Sequence, residues 1–438
     1  MEKEEGFSRT GRPFVKYVSQ NILGTIGVSA YILADTFFIS QSEGADGITA
    51  LNLVLPVYSL IFAIGSMIGV GSATRFALGR ARGDEKADRY FSNAVFWAIL
   101  LGICFMIPGM GMPDKVLSLL GGDARIVEVG TEYTRIFLFY SPFFMLNYIF
   151  NAFVRNDGDP SLAMAATMSS SLFNIVMDYV LIFPCGLGMS GAALATGLSP
   201  VVGMTICGLH FFSKKNTVTF RWKRPTVSYL VKSCQLGVAA FMGEMSSGVT
   251  TMVFNLLILG IAGNTGIAAY GVVANIAIVG TAIFNGISQG TQPLFSDTFG
   301  RGEKKSVNRL LQLAVVTAFA SAIILLLVLN LFAEPIVQVF NQQGDTQLTA
   351  YAIEGVRLYF IGFLCSGFNI VGTGYLSATE KAAWAFAASI LRGFVAITLC
   401  ALLLSHLFGM AGVWLAFPVS ELLTAIVMGI AIVQSRKA

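Results

Sequence analysis

Charge is scarce in this chain. Only 12% of its 438 residues are charged, about half of what a soluble protein of this length carries, which excludes an ordinary water-soluble domain. Histidine occurs twice, and the six cysteines (Cys104, Cys185, Cys207, Cys234, Cys365 and Cys400) are scattered, none at metal or redox spacing. They read as small apolar packing residues. The basic residues sit in short gaps between apolar runs and form no single patch, so nucleic acid is not an expected partner. The start, Met1-Glu2-Lys3-Glu4-Glu5, is acidic and polar, with no cleavable signal pattern. No His-Glu-x-x-His, Gly-x-Ser-x-Gly or paired-Asp motif falls inside an apolar run, which argues against an intramembrane enzyme.

What the chain has is lipid-compatible length. Hydrophobic residues make up 55% of it, and the mean hydropathy is +0.73. A helical span needs about 20 apolar residues. Twelve such runs are predicted: 15–40, 48–78, 90–112, 127–153, 161–184, 188–212, 229–261, 266–297, 307–333, 348–377, 383–406 and 409–433. The expected fold is an all-α membrane protein of twelve transmembrane helices in two six-helix lobes. Its expected parts are an N-terminal tail 1–14, an N-lobe 15–212, a linker 213–228, a C-lobe 229–433 and a C-terminal tail 434–438. Lys and Arg in the loops set the orientation. With the N-terminus inside, the inner segments hold twenty-two basic residues and the outer ones only Lys115 and Arg125. Both termini and the linker are therefore expected in the cytoplasm, in a multi-pass protein of the cell (inner) membrane.

The two halves repeat. Arg80 to Lys86 closes one apolar stretch, and Phe299 to Lys305 closes another 219 positions later. At that offset Gly47-Ile48-Thr49-Ala50 falls on Gly266-Ile267-Ala268-Ala269, and Gly71 falls on Gly290. Further on the offset is 221: Gly188-Met189-Ser190-Gly191 falls on Gly409-Met410-Ala411-Gly412. A parallel repeat of two membrane bundles implies a cleft that opens alternately to either side.

Ionisable side chains inside spans cost roughly 2.5–3.5 kcal/mol on insertion scales and point to function. The set here is Asp35, Arg75, Arg135, Asp178, Glu244, Arg357, Arg392 and Glu421. Asp35 in span one and Asp178 in span five both fall roughly 8–9 Å below the outer end. Asn174 shares the Asp178 helix face, and Thr196 in span six reaches the same depth. Two carboxyls, an amide and a hydroxyl in one layer suit a hard cation or a shared proton; a buried polar network that holds helices together is the other reading. Glu244 sits mid-span among glycine and serine. Arg392 stays charged and needs an anion or a carboxylate, with Glu244 and Glu421 the candidates. Arg75 can snorkel to the inner surface, and Arg135 and Arg357 take similar places in the two halves. His210 and His406 lie at span ends and are expected at the interface. Tyr31, Tyr140, Phe150, Met177 and Phe284 are candidate liners of a hydrophobic drug cavity.

The chain resembles the multidrug and toxic compound extrusion (MATE) family over about residues 14–434. The matching segments are Tyr31 to Ile39, Gly79 to Lys86, Arg155-Asn156-Asp157-Gly158-Asp159-Pro160, Asn174-Ile175-Val176-Met177-Asp178 and Gly188 to Ala193. The resemblance implies an antiporter that exports small amphipathic, often cationic drugs, driven by Na+ or H+, with no other cofactor. It implies a cation site at Asp35, Asn174, Asp178 and Thr196, and an acidic C-lobe position at Glu244. One residue departs: many relatives have a proline in span one where this chain has Gln20, which speaks against proline-driven bending of that helix. A monomer is expected. The alternative within the same superfamily is a flippase for a lipid-linked sugar, which should line its cleft with several cationic residues; here Arg392 is the one well-centred candidate.

Overall fold

A computed structural model describes residues 2–220, 225–340 and 345–437. Residues 221–224 of the expected linker, and residues 1 and 438 of the expected tails, lie outside the described residues. Among the described residues every element is helical and no strand occurs, as apolar chain in lipid requires, since a helix pairs its own backbone groups.

Among the described residues, nine helices are long and apolar enough to cross a bilayer, and Ala124–Phe139 with Ser141–Asn156, bent by 45°, makes a tenth. Two of the nine are double. Val227–Gly300 has 74 residues and Ala382–Arg436 has 55. A straight helix of the longer kind would run about 110 Å, against about 30 Å of hydrocarbon. Each is broken at one glycine outside helical space, Gly263 at φ 61° and Gly409 at φ 59°. The chain thus makes twelve passes. Spans one to six are Thr10–Gly44, Asp46–Ala81, Arg89–Gly111, the bent pair, Pro160–Ile182 and Gly188–Phe212. Spans seven and eight meet at Gly263; nine is Lys304–Leu331, ten is Thr346–Ala378, and eleven and twelve meet at Gly409.

The breaks carry the repeat into the backbone. Gly44 (φ 61°) and Gly263 (φ 61°) lie 219 apart, and Gly188 (φ 49°) and Gly409 (φ 59°) lie 221 apart. A residue with a Cβ pays about 1–2 kcal/mol in this left-handed region, so glycine marks each hairpin. The chain doubles back there: Tyr31 and Tyr58 meet at their hydroxyls 3.4 Å apart across Gly44. Phe254 and Tyr270 meet at 5.3 Å between ring centroids across Gly263. Two aspartates do the same work at helix starts. Asp123 accepts from the Ile126 N–H at 2.9 Å to open span four, and Asp345 accepts from Gln347 N–H at 2.8 Å to open span ten. Each satisfies a backbone donor that the first turn leaves without a partner.

The chain divides into two compact units. The first is Ser19–Glu244 with Ser296–Glu303; the second is Met1–Val18, Met245–Phe295 and Lys304–Ala438. The core of the first is aromatic, with Phe76, Phe91, Tyr133, Phe137 and Phe153 fully buried. The second buries Phe254, Phe284, Phe295, Phe360, Phe363 and Trp414. Part of the linker is folded onto the first unit. Arg80 Nη1 donates to Thr217 O at 2.8 Å, Thr219 Oγ1 to Asp88 Oδ2 at 2.6 Å, and Thr226 N–H to Asn93 Oδ1 at 2.7 Å. His210, expected at an interface, is buried instead, with Nε2 2.8 Å from Asp157 Oδ2; the same carboxylate takes the Thr217 N–H at 2.7 Å.

Within the first unit, spans two and seven cross at backbone distance. A Cβ on Gly71 would lie 1.9 Å from Ser233 O, and one on Gly237 would lie 1.9 Å from Met67 O. Ser72 Oγ donates to Ser233 Oγ at 2.9 Å beside this crossing. Small residues let membrane helices pack this closely. Gly237→Ala is expected to lower thermal stability by about 1–3 kcal/mol through overpacking, measured by thermal melts in detergent. Gly248→Ala, where nothing lies within 4 Å, is the control and should leave the melt unchanged.

Candidate cation and substrate site

The polar layer in the first unit is built by spans one, five and six. Asp35, Asn174, Asp178 and Thr196 are all buried. Span five is regular α-helix throughout, so Asn174 and Asp178, four residues apart, stack on one face. The Asn174 amide lies 3.3 Å from Thr196 Oγ1. Turned so that both amide atoms are satisfied, it donates to Asp178 Oδ2 at 3.1 Å and accepts from the Thr196 N–H at 3.3 Å.

Asp35 and Asp178 lie within interaction reach of each other. A carboxylate only accepts, so a direct hydrogen bond between the two would need a proton on one of them. Two bare charges 4 Å apart would repel by about 4 kcal/mol at an effective dielectric of 20, so an ionised pair needs a cation instead. Asp35 Oδ1 and Asp178 Oδ1 are buried and have no hydrogen-bond partner. Two open carboxyl oxygens beside an amide and a hydroxyl make a hard-oxygen set suited to one small monovalent cation. No group of three or more His, Cys, Asp or Glu placed to hold a metal ion occurs among the described residues.

Tyrosines surround the layer. Tyr31 reaches Tyr58 through its hydroxyl and lies in electrostatic reach of Asp35, Asp178 and Glu244. Tyr133 also feels both aspartates, and the Tyr58 and Phe137 rings stack at 4.8 Å. Glu244, half-buried, lies in electrostatic reach of Tyr148. Tyr58, Tyr133 and Tyr148 went unnoticed in the sequence; the Tyr31–Tyr58 pairing follows once the hairpin is centred on Gly44. The Tyr140 ring covers Gly197, whose Cβ would lie 2.2 Å from it, next to Thr196. Met177 is half-buried. Phe150 belongs to an aromatic cluster with Phe91 and Phe211, each at 5.8 Å, and Phe284 is buried against Phe363 at 5.4 Å.

In the second unit, Arg392 takes Glu421 as its carboxylate. Nε donates to Glu421 Oε1 at 2.7 Å and Nη2 to Ser366 Oγ at 3.0 Å. Asn369 Nδ2 donates to Glu421 Oε2 at 2.7 Å. Asn369 and Ser366 were missed in the sequence, where amides and hydroxyls in apolar runs carry no charge signal.

Span one shows no helix break between Thr10 and Gly44. Gln20 Nε2 donates to Ser161 Oγ at 2.9 Å, and Asn21 Oδ1 accepts from the buried Arg155 Nη1 at 3.0 Å. Where the family's proline would open the helix ladder, this chain has a glutamine that ties span one to span five.

The MatE family profile matches residues 21–180 and 240–402. The chain belongs to the MatE family. The multidrug export protein MepA of Staphylococcus saprophyticus is 24% identical over 408 residues, 92% of this chain and 89% of that protein. MepA of Staphylococcus haemolyticus is 27% identical over 409 residues, with the same coverage. The fold matches the outward-facing conformation of a multidrug resistance MATE family transporter of the MOP superfamily at a TM-score of 0.91, with 23% identity over 97% of this chain and 96% of that one. It also matches a MOP superfamily transporter from Pyrococcus furiosus, described as having a binding pocket of reverse polarity, at a TM-score of 0.88, with 23% identity over 97% and 95% of the two chains.

The Arg392–Glu421 pair gives a direct test of this geometry. Arg392→Gln or Glu421→Gln alone should destabilise the fold by about 3–5 kcal/mol by leaving a buried charge uncompensated. The double variant should lose clearly less than the sum, measured as a thermal double-mutant cycle.

Proposed function

We propose that this MatE protein exports small amphipathic, largely cationic drugs in exchange for Na+ or H+, by alternating access of the lobes 15–212 and 229–433. The observation that carries this reading is the buried Asp35–Asp178 carboxyl pair, which needs one proton or one cation to exist in an apolar bundle. The relatives named as multidrug export proteins support the substrate class. A cation entering from outside neutralises the pair and favours one arrangement of the N-lobe. Asn174 and Thr196 add neutral oxygens that Na+ can use and a proton does not need. Glu244, Tyr31 and the neighbouring tyrosines offer a carboxylate and aromatic faces to a cationic aromatic substrate. One charge moved through 100 mV supplies about 2.3 kcal/mol, roughly a 50-fold gradient.

The protein is read as a monomeric carrier of the cell (inner) membrane, with both termini and the linker in the cytoplasm. The basic asymmetry of the loops supports that orientation. A lipid-linked sugar flippase fits less well, because Arg392, the well-centred cation, is already neutralised by Glu421 and a single neutralised arginine does not hold a pyrophosphate.

Transport in vesicles with imposed gradients tests the coupling. Asp35→Asn and Asp178→Asn should each insert normally and abolish gradient-driven dye export; wild-type rates in both would remove the coupling site. The double change Asn174→Ala with Thr196→Ala should weaken Na+-driven export more than H+-driven export. Equal loss would assign those two residues to holding the helices together. For orientation, a Lys214→Cys variant in a chain without its native cysteines should be labelled only after the cells are opened, whereas labelling of intact cells would invert the topology.

A further inference from the structure

We propose that His210, set between Asp157 and Asp159, is a second proton-binding site, and that filling it fastens the linker segment 213–220 to the first unit and slows transport when the cytoplasm turns acid. The proposal rests on the export reading and the orientation given above.

The first observation is a segment held at many points. Residues 213–220 follow span six without helical structure. Arg80 Nη1, at the end of span two, donates to Thr217 O at 2.8 Å, and Thr219 Oγ1 donates to Asp88 Oδ2 at 2.6 Å, beside the start of span three. In the loop after span four, Asp157 Oδ2 accepts the Thr217 N–H at 2.7 Å, and Asp157 Oδ1 accepts from the Thr217 hydroxyl. Val218 is buried, and the Phe220 ring meets that of Phe91 edge-on at 6.3 Å. One segment therefore joins the inner ends of spans two, three, four and six. Any change in which those ends part has to peel it away.

The second observation is a histidine that lacks a partner on one side. His210 closes span six, and its side chain is 1% exposed. Nε2 lies 2.8 Å from Asp157 Oδ2, the same oxygen that takes the Thr217 N–H. A carboxylate only accepts, so Nε2 carries the proton, and in the neutral ring Nδ1 is then an acceptor. Nδ1 is buried with no hydrogen-bond partner, and Asp159 Oδ2 stands 3.8 Å from it. Two acceptors thus face each other. A buried acceptor left unmet costs stability, and a proton on Nδ1 turns this one into a donor aimed at a carboxylate.

The third observation is the charge around the ring. Asp159 stands at the start of span five, where the helix dipole favours the carboxylate, and Lys215 Nζ lies 3.2 Å from Asp159 Oδ1. With the ring neutral, Asp157, Asp159 and Lys215 leave one negative charge in excess, and a proton on His210 cancels it. The other titratable groups of these elements are Arg155 in the last turn of span four, Arg80 and Asp88 at the outer anchors, Lys214 on the segment itself and Cys207 one turn back on span six. Histidine is the side chain whose ordinary titration falls between about pH 5 and 8. The sign follows: the protonated ring holds both carboxylates, Asp157 holds Thr217, and the segment is fast at acid pH and looser at alkaline pH. In a carrier that admits a cation in exchange for drug, this acts as a brake set by the cytoplasmic side.

Hydrogen exchange of residues 213–220, corrected for the intrinsic pH dependence of exchange, reads the Thr217 amide directly. We expect its protection in the wild type to rise about tenfold between about pH 8 and about pH 6, the scale of one charge-assisted hydrogen bond. His210→Gln keeps a donor for Asp157 and takes no proton. Asp159→Asn keeps the His210–Asp157 bond and removes the charge that Nδ1–H would meet. Both should flatten the rise. Lys215→Ala should move it to higher pH, because a positive charge nearby opposes the proton. A wild type with equal protection at every pH, or a rise that survives in His210→Gln, overturns the proton site. Dye export is then measured in inside-out vesicles as the ratio of His210→Gln to wild type at each bath pH, which cancels any effect of pH on the coupling pair. The ratio should lie near one at about pH 8 and rise about tenfold at about pH 6; a flat ratio overturns the brake. A wild type that exports no dye at any pH overturns the export reading, while the rise in protection still reports the proton site on its own.

Discussion

Two neighbouring carboxyl groups, buried inside a bundle made to face lipid, cannot both be charged without a positive partner. Asp35 and Asp178 impose that constraint on everything around them. Asp35 Oδ1 and Asp178 Oδ1 are buried and have no hydrogen-bond partner. The surrounding groups are neutral: an amide, a hydroxyl and the tyrosines. None of these supplies a counter-charge. On the export reading proposed above, the charge comes from a proton or an entering cation, and the energy of the pair then depends on what lies outside the membrane. A coupling site needs that dependence, and a structural network does not.

The scaffold that holds this pair is used twice, with different chemistry each time. Glycine hairpins at Gly44 and Gly263 recur 219 positions apart, and aspartate caps at Asp123 and Asp345 recur 222 apart. These are backbone devices, and they leave side chains elsewhere free to diverge. In span five the regular helix presents Asn174 and Asp178 to Asp35. In span eleven a π turn presents Arg392 to Glu421. The first arrangement lacks a positive charge and the second already contains one. The first leaves room for a positive charge, while the second is electrically closed.

Much of this was legible in the sequence where the cause is local. Apolar run lengths predict the spans, and the 219 and 221 offsets mark the turns because glycine is needed at a left-handed backbone position. Asp35, Asn174, Asp178 and Thr196 could be placed in one layer by counting residues from span ends, and the structure brings them together. Features that depend on helix rotation or on neighbours were not legible. Tyr58 and Tyr133 look like any aromatic in a span until the hairpin register is known. The choice of Glu421 over Glu244 for Arg392 needs three helices in place. The π turn has no signature in Leu391-Arg392-Gly393-Phe394-Val395-Ala396. His210 was misread because its partner, Asp157, lies 53 residues away, in a loop whose fold the span pattern does not define. Phe150 and Phe284 were candidate liners by type alone, and the structure uses both to pack aromatic clusters.

The most direct test of the account is infrared difference spectroscopy of the purified protein, with and without Na+, read in the protonated-carboxyl region. The account predicts one protonated carboxyl in the absence of Na+ that disappears in both Asp35→Asn and Asp178→Asn, because the repulsion that favours the proton needs the two carboxyls together. If Na+ is the coupling ion, its addition removes the same band in the wild type. A wild-type spectrum with no protonated carboxyl assignable to this pair, and no response to Na+, would contradict it.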